Sequence, residues 1–163
     1  MTRSPAALVS DDVEAVRASA ARAGARAVVL ANGCFDPLHV GHVRYLEDAR
    51  THGDFLVVAL NNDDSTRRLK GPDRPVVAEL DRAALLAALS CVDAVLLFGS
   101  DNVEGILASL RPAVHAKGTD YTEATVPEAE AARRLGIRTV ITGDAKSHAS
   151  REIVARVRRD EKS

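Results

Sequence analysis

Five short, largely apolar runs, each separated from the next by a stretch of helical character, constrain this chain more than any other feature. They lie at Ala27–Ala31, Phe55–Leu60, Ala94–Phe98, Ala113–Ala116 and Ile137–Ile141. A strand with one wet face alternates apolar and polar residues, whereas a continuous run needs cover on both faces, which parallel sheets obtain from crossover helices. The gaps supply those helices: Val40–His52, Glu79–Leu89, Val103–Leu110, Pro127–Leu135 and a last one over Ser150–Arg159. This alternation predicts βαβ units with right-handed crossovers, and hence an α/β domain built on a doubly wound, five-stranded parallel sheet. Ahead of the first run, Ser10–Gly24 reads as a helix, with Ser10 as cap, Asp11, Asp12 and Glu14 at its positive end and Gly24 as its stop. Residues 1–26 are therefore expected to form an N-terminal helical extension to a domain of residues 27–163.

At 163 residues and 17.3 kDa the chain is the size of one globular domain with one core. Its 22 Lys and Arg against 23 Asp and Glu leave a net charge of −1, and aromatics are only 3% with no Trp, which argues against a nucleic-acid binder. Cys34 and Cys91 lie far apart without C-x-x-C spacing, so no disulfide framework is expected and a reducing cytoplasm fits best. Met1–Pro5 has no apolar signal core, and no stretch approaches the roughly 18 continuous apolar residues of a membrane helix. A soluble, untargeted protein without membrane contact is expected.

On doubly wound sheets ligands sit beyond the carboxyl ends of the strands, so the chemistry should follow each run. The polar stretch Asn61–Arg74 reads as the longest irregular segment and a candidate substrate loop. After the first run comes Asn32-Gly33-Cys34-Phe35-Asp36-Pro37-Leu38-His39-Val40-Gly41-His42. His39 and His42, three apart, project from one side of a helix's first turn, beside its exposed N–H groups and positive dipole end. Gly33 and Gly41 let backbone or ligand approach closely. The pattern reads as a phosphate cradle with two movable protons. Helix capping is the plainer reading of the two histidines. Zinc would need a third ligand, and none lies at a metal-site spacing unless Cys34 folds back. Neither G-x-G-x-x-G nor G-x-x-x-x-G-K-[ST] is present, which disfavours a redox Rossmann domain and a phosphate-loop NTPase.

That eleven-residue block resembles the signature of the HxGH nucleotidyltransferase superfamily, in its cytidylyltransferase-like branch. More closely, the chain resembles the adenylyltransferase half of the bacterial ADP-heptose synthesis enzymes. Further blocks carry the likeness in order: Asn61–Thr66 with Arg68–Gly71, Arg74-Pro75-Val76, Asp81-Arg82 and Lys117-Gly118-Thr119-Asp120-Tyr121. The resemblance implies a Rossmann-like single-domain fold and a reaction in which a sugar 1-phosphate oxygen attacks the α-phosphorus of ATP, with pyrophosphate leaving and Mg²⁺ assisting. It implies that His39, His42 and Lys70 are catalytic, Lys70 bridging the phosphates of both substrates. Backbone groups at Gly33, Cys34, Phe35 and Gly41, together with Arg82, Lys117, Gly118, Ser150 and Arg151, are expected on the nucleotide. Asp36, Asp63 and Asp120 are expected with Lys70 on the acceptor.

Asp63 has a second reading as an Asx turn or helix cap, and Lys117 one as a structural partner of Asp120. Family members usually carry Ser-Thr-Thr where this chain has Ala149-Ser150-Arg151, which leaves Ser150 as the middle hydroxyl. The expected acceptor is heptose 1-phosphate-like, supplied by a separate sugar kinase, and the expected assembly is a homodimer. A CTP-dependent enzyme for glycerol phosphate, a phosphonate or another small phosphate is the alternative, and a non-catalytic nucleotide-binding module stands behind both.

Overall fold

The computed structural model describes residues 7–144 and 150–160. Along the chain run β1 (Leu8–Ser10), α1 (Val13–Arg22), β2 (Val28–Gly33), α2 (Val40–Arg50), β3 (Phe55–Asn61), α3 (Asp63–Lys70), α4 (Glu79–Ala87), β4 (Ala94–Phe98), α5 (Glu104–Leu110), β5 (Val114–Gly118), α6 (Ala129–Arg134), β6 (Arg138–Thr142) and α7 (Ser150–Asp160). The strands form one sheet in the order β1-β4-β3-β2-β5-β6, and every neighbouring pair is parallel.

Alternate residues of each strand feed opposite cores. Val29, Leu56, Val58 and Val95 meet Tyr45, Leu46 and Ala49 of α2 and Ala83 and Leu86 of α4 on one face. Leu30, Val57, Ala59 and Leu96 meet Val16 and Ala20 of α1 and Leu107 and Leu110 of α5 on the other. All seven residues of β3 are buried, which is why that strand reads as an unbroken apolar run. Gly53, between α2 and β3, is required: a Cβ there would stand 2.3 Å from the Ala27 carbonyl oxygen.

The sheet has six strands, not the five expected. Leu8–Ser10 pairs with Ala94–Leu96 at the edge, and three residues are too few to show a period. Ser10 ends that strand. The helix is capped instead by Asp12, whose carboxylate accepts from the Glu14 N–H. The segment before residue 27 thus supplies both an edge strand and a helix packed into the core.

The stretch Asn61–Arg74 is also more regular than expected. Asn62 caps α3 by accepting from the Ser65 N–H, and Asp63 and Asp64 stand at the helix's positive end and Arg67, Arg68 and Lys70 at its negative end. The helix buries only Ser65 and Thr66, so its sequence lacks the apolar stripe by which helices are recognised. Gly71, at φ 111°, ends it, and the irregular segment is confined to residues 71–78.

From β2 the chain steps to β3 and β4 on one side, then returns to place β5 on the other side of β2. The strand order therefore reverses between β2 and β5, and the crevice above those two carboxyl ends is where such sheets bind ligands. Among the described residues no helix is long and apolar enough to cross a membrane.

Candidate active site

A cleft of about 1030 Å³ opens at that reversal point. One bank is the turn between β2 and α2, with Gly33, Cys34, Phe35, His39, Gly41 and His42; the other is the exit of β5, with Lys117, Gly118, Asp120 and Tyr121. Lys70, the last residue of α3, stands over the opening.

The histidine pair caps the helix α2. His39 is the N-cap of α2, and its Nδ1 accepts from the Gly41 N–H at 3.1 Å. His42 Nδ1 accepts from the His39 N–H at 3.3 Å, completing a reciprocal capping box. A ring nitrogen that accepts carries no proton, so each neutral ring bears its proton on Nε2. Capping therefore sets the tautomer in which the ring nitrogen away from the cap carries the N–H. The rings are stacked, 3.8 Å between centroids, and Phe35 packs edge-on to His42 at 5.0 Å. Burial pushes His42 down to about 4, with His39 and Lys70 adding to the effect and Asp120 opposing it, so the ring is neutral at pH 7. Phe35 itself is held at φ 48°, a left-handed conformation that non-glycine residues adopt mostly at functional or tightly constrained sites.

Asp36 and Arg82 lie behind this bank. The Asp36 carboxylate is fully buried; it accepts the N–H groups of Val76 and Val77, each at 2.9 Å, and the Arg74 guanidinium at 2.7 Å. A second guanidinium nitrogen of Arg74 donates to the Asp36 carbonyl. Burial raises the Asp36 pKa, but the bonds from Val76, Arg74 and Val77 outweigh it and hold the carboxyl below the usual carboxylate range. This clasp ties residues 74–77 to the histidine turn.

Arg82 is 1% exposed. Its Nε donates to Val77 O at 2.8 Å, its Nη1 to Cys34 O at 2.7 Å and Asn61 O at 2.8 Å, and its Nη2 to Asp63 Oδ1 at 2.7 Å. The structure thus places Arg82 beneath the cleft floor, where it binds the carboxyl ends of β2 and β3 to the α3 and α4 termini. Asp63 is not the cap of α3, which is Asn62, and its carboxylate is drawn toward Arg82.

The β5 bank is built from distant residues. The Lys117 side chain is 8% exposed, with Nζ 3.7 Å from Glu128 Oε2, 3.5 Å from Asn32 Oδ1 and 4.7 Å from the centre of the Tyr121 ring. His115, fully buried on the same strand, places Nε2 2.9 Å from that Asn32 oxygen. Burial, and then the charge of Lys117, push His115 down to about 3. Neutral, with its proton on Nε2, it donates to the amide oxygen that also faces Lys117. Glu128, at the head of α6, is a site residue that the sequence does not reveal, because nothing near it in the chain marks it. His115 leaves a trace, a polar residue inside the run Ala113–Ala116.

Of the remaining expected residues, Asp120 and Gly118 line the cleft. A Cβ on Gly118 would meet nothing within 4 Å. Ser150 and Arg151 open α7, but their side chains, and all of Ala149, lie outside the described residues. Among the described residues no group of three or more His, Cys, Asp and Glu is arranged to hold a metal ion.

A doubly wound sheet with a capping histidine pair at its reversal point defines the class of α/β protein that binds ligands at the carboxyl ends of its strands. The Cytidylyltransferase-like family matches residues 30–157, and this chain belongs to it. The protein named "Bifunctional protein HldE" from Pelobacter propionicus is 44% identical over 146 residues, 90% of this chain and 30% of that protein. Its namesake from Magnetococcus marinus is 48% identical over 130 residues, 80% of this chain and 27% of that protein. The chain thus spans less than a third of the length of these curated relatives. The lipopolysaccharide core biosynthesis protein from Thermoplasma volcanium superposes with a TM-score of 0.62 at 29% identity, covering 74% of this chain and 98% of that one. Pantothenate synthetase from Thermus thermophilus, at 18% identity and a TM-score of 0.61 over 90% of this chain and 67% of that one, shares the fold.

Proposed function

We propose that the protein transfers a nucleoside monophosphate from ATP to a sugar 1-phosphate of the heptose 1-phosphate type, giving a nucleotide sugar and pyrophosphate. The observation that carries this reading is the pair of capping histidines that line the cleft at the strand-order reversal. The HldE relatives and the resemblance to the ADP-heptose synthesis enzymes support the choice of ATP and of a heptose phosphate.

An acceptor phosphate oxygen is already a nucleophile, so no general base is required. A bond forms from that oxygen to the α-phosphorus, and the bond to the bridging α–β oxygen breaks, its electrons leaving with pyrophosphate. The protein's task is to align two polyanions and stabilise charge on the equatorial and leaving oxygens. His42 Nε2 donates to the α-phosphate, His39 to the neighbouring phosphates, and Lys70 bridges both substrates. Arg82 and Asp36 serve by holding the turn and the loop at 74–77. Mg²⁺ keeps most of its waters and is held mainly by substrate phosphates with one or two carboxylates. Among the acidic residues that line the cleft, Asp120 and Asp144, the latter paired with Arg44, would hold the ion, and the ion would neutralise charge on the leaving pyrophosphate.

The acceptor is the product of a sugar kinase reaction. The protein works in the cytoplasm, consistent with two free cysteines, as a homodimer that sedimentation will test. Incubation with ATP or CTP, Mg²⁺ and a panel of sugar 1-phosphates and small phosphates, followed by pyrophosphate release, decides the reaction. Release with ATP and a heptose 1-phosphate is expected. Release only with CTP and glycerol phosphate would replace this reading with a cytidylyltransferase, and tight triphosphate binding without product would make the chain a binding module.

A further inference from the structure

Lys117 presents a physical problem that the cleft by itself does not solve. A lysine this deeply buried loses its charge unless something compensates the lost hydration. Among the described residues the carboxylate within ion-pairing distance is Glu128, itself 4% exposed, and its Oε2 makes no hydrogen bond. A charge-assisted N–H···O bond spans about 2.7–2.9 Å. The Lys117 ammonium lies 3.7 Å from Glu128, 3.5 Å from Asn32 and 4.7 Å from the Tyr121 ring centre, so it is surrounded by three partners and saturated by none.

We infer that Glu128 is a positioning residue for Lys117: its buried carboxylate keeps the ammonium charged and loosely held, ready to close on a phosphate oxygen entering the cleft. The inference rests on the proposed reading of the cleft as a phosphate site. The geometry assigns the parts. Asn32, its oxygen turned by His115, sets one limit to the ammonium's travel and the Tyr121 face sets another. Glu128 supplies the charge that neither can. A short bond to a phosphate then replaces long contacts, with little reorganisation.

The titratable groups around the ammonium support the assignment. His115 faces it from β5 and is neutral, and Tyr121 faces it from the segment after β5; Asp120 and Cys34 act on Tyr121, and Tyr45 of α2 lies near Tyr121 and Glu128. Burial pushes Lys117 below its ordinary value, and Glu128 is the group that pushes back. Burial also raises the Tyr45 and Tyr121 phenols, which stay neutral at pH 7 to 9.

The test compares E128Q, K117R and the double variant E128Q/K117R, with Lys117 followed by NMR of its Cε and Nζ nuclei in the substrate-free protein. In E128Q the Lys117 titration should move down by about one unit or more, which is about tenfold in charged fraction above that point. The loss in kcat/KM should accordingly approach about tenfold at pH values above the wild-type Lys117 titration and vanish at pH values below the shifted one. The guanidinium stays charged without a carboxylate, so at pH 8.5 the double variant should lie within about threefold of K117R alone, with the pH dependence gone. E128D, which retains the charge, should leave the titration within half a unit and serves if E128Q does not fold. A titration unmoved in E128Q, a loss equal at every pH, or a double variant as pH-sensitive as E128Q would overturn the inference. If the wild-type protein releases no pyrophosphate with any pair, the reaction reading fails, and the NMR titration still decides the role of Glu128.

Discussion

The two banks of the cleft are built by opposite means. On the β2 bank the functional rings are held by their own neighbours: His39 and His42 bond to backbone groups two and three residues away. On the β5 bank Lys117 takes its surroundings from Asn32, 85 residues away in the chain, and from Glu128 at the head of another helix. A locally wired site can be presented correctly by any stable strand-turn-helix unit, whereas one wired through the tertiary structure is only as good as the packing that joins its parts. Removing a histidine should therefore injure chemistry and spare the fold, while disturbing the long-range wiring should injure both.

The largest effect is expected at His42. His42→Ala should lower kcat by roughly a hundredfold or more through loss of an α-phosphate donor, with a thermal midpoint within a few degrees of wild type. A collapse of the fold on calorimetry would erase the contrast between the banks.

Arg82→Ala makes the opposite pair of measurements. It strips hydrogen bonds from the carbonyls of Cys34, Asn61 and Val77 and leaves Asp63 without its cation. Urea unfolding should show a loss of about 3 kcal/mol, alongside reduced activity. A stable Arg82→Ala protein that had lost only triphosphate affinity would return Arg82 to the nucleotide.

Acid should next separate wired from exposed groups. His115 and His42, at about 3 and about 4 in the folded protein against an ordinary 6.5, bind fewer protons folded than unfolded between those values. Stability from keeping them neutral is full above pH 6.5 and falls as pH drops toward the folded values. Thermal midpoints measured from pH 8 to pH 4 should decline below 6.5, and His115→Gln should flatten the slope. A slope unchanged in that variant would place the acid sensitivity elsewhere.

The smallest effect on the fold is expected at Gly118, where an added methyl group meets open space. Gly118→Ala should alter stability by less than about 0.5 kcal/mol, so any rise in KM for the triphosphate would report contact with ligand directly. Unchanged kinetics would remove Gly118 from the nucleotide site.

The features legible in the chain are the local ones. The histidine block announces itself because its chemistry depends on spacing within one helical turn, and the central strands because burial on both faces leaves a continuous apolar run. The edge strand Leu8–Ser10 escapes a linear reading because three residues carry no period, and α3 is legible only as a short helix over Ser65–Arg68 because it is stabilised by caps and end charges without an apolar face. An arginine opening an Ala/Leu-rich helix reads by itself as an exposed polar position, and only the family resemblance points Arg82 to the nucleotide. The structure spends its donors on backbone carbonyls whose positions no linear pattern encodes.

Sequence alone determined the parallel α/β architecture, the family and the capping histidine pair, since each follows from interactions among residues a few positions apart or from burial that marks every residue of a strand. Only the tertiary structure decided which charged groups reach the cleft and which lie beneath it. A buried cation is defined by what surrounds it in space, and for Lys117 and Arg82 those surroundings include groups far off along the chain, Asn32 for Lys117 and Cys34 for Arg82.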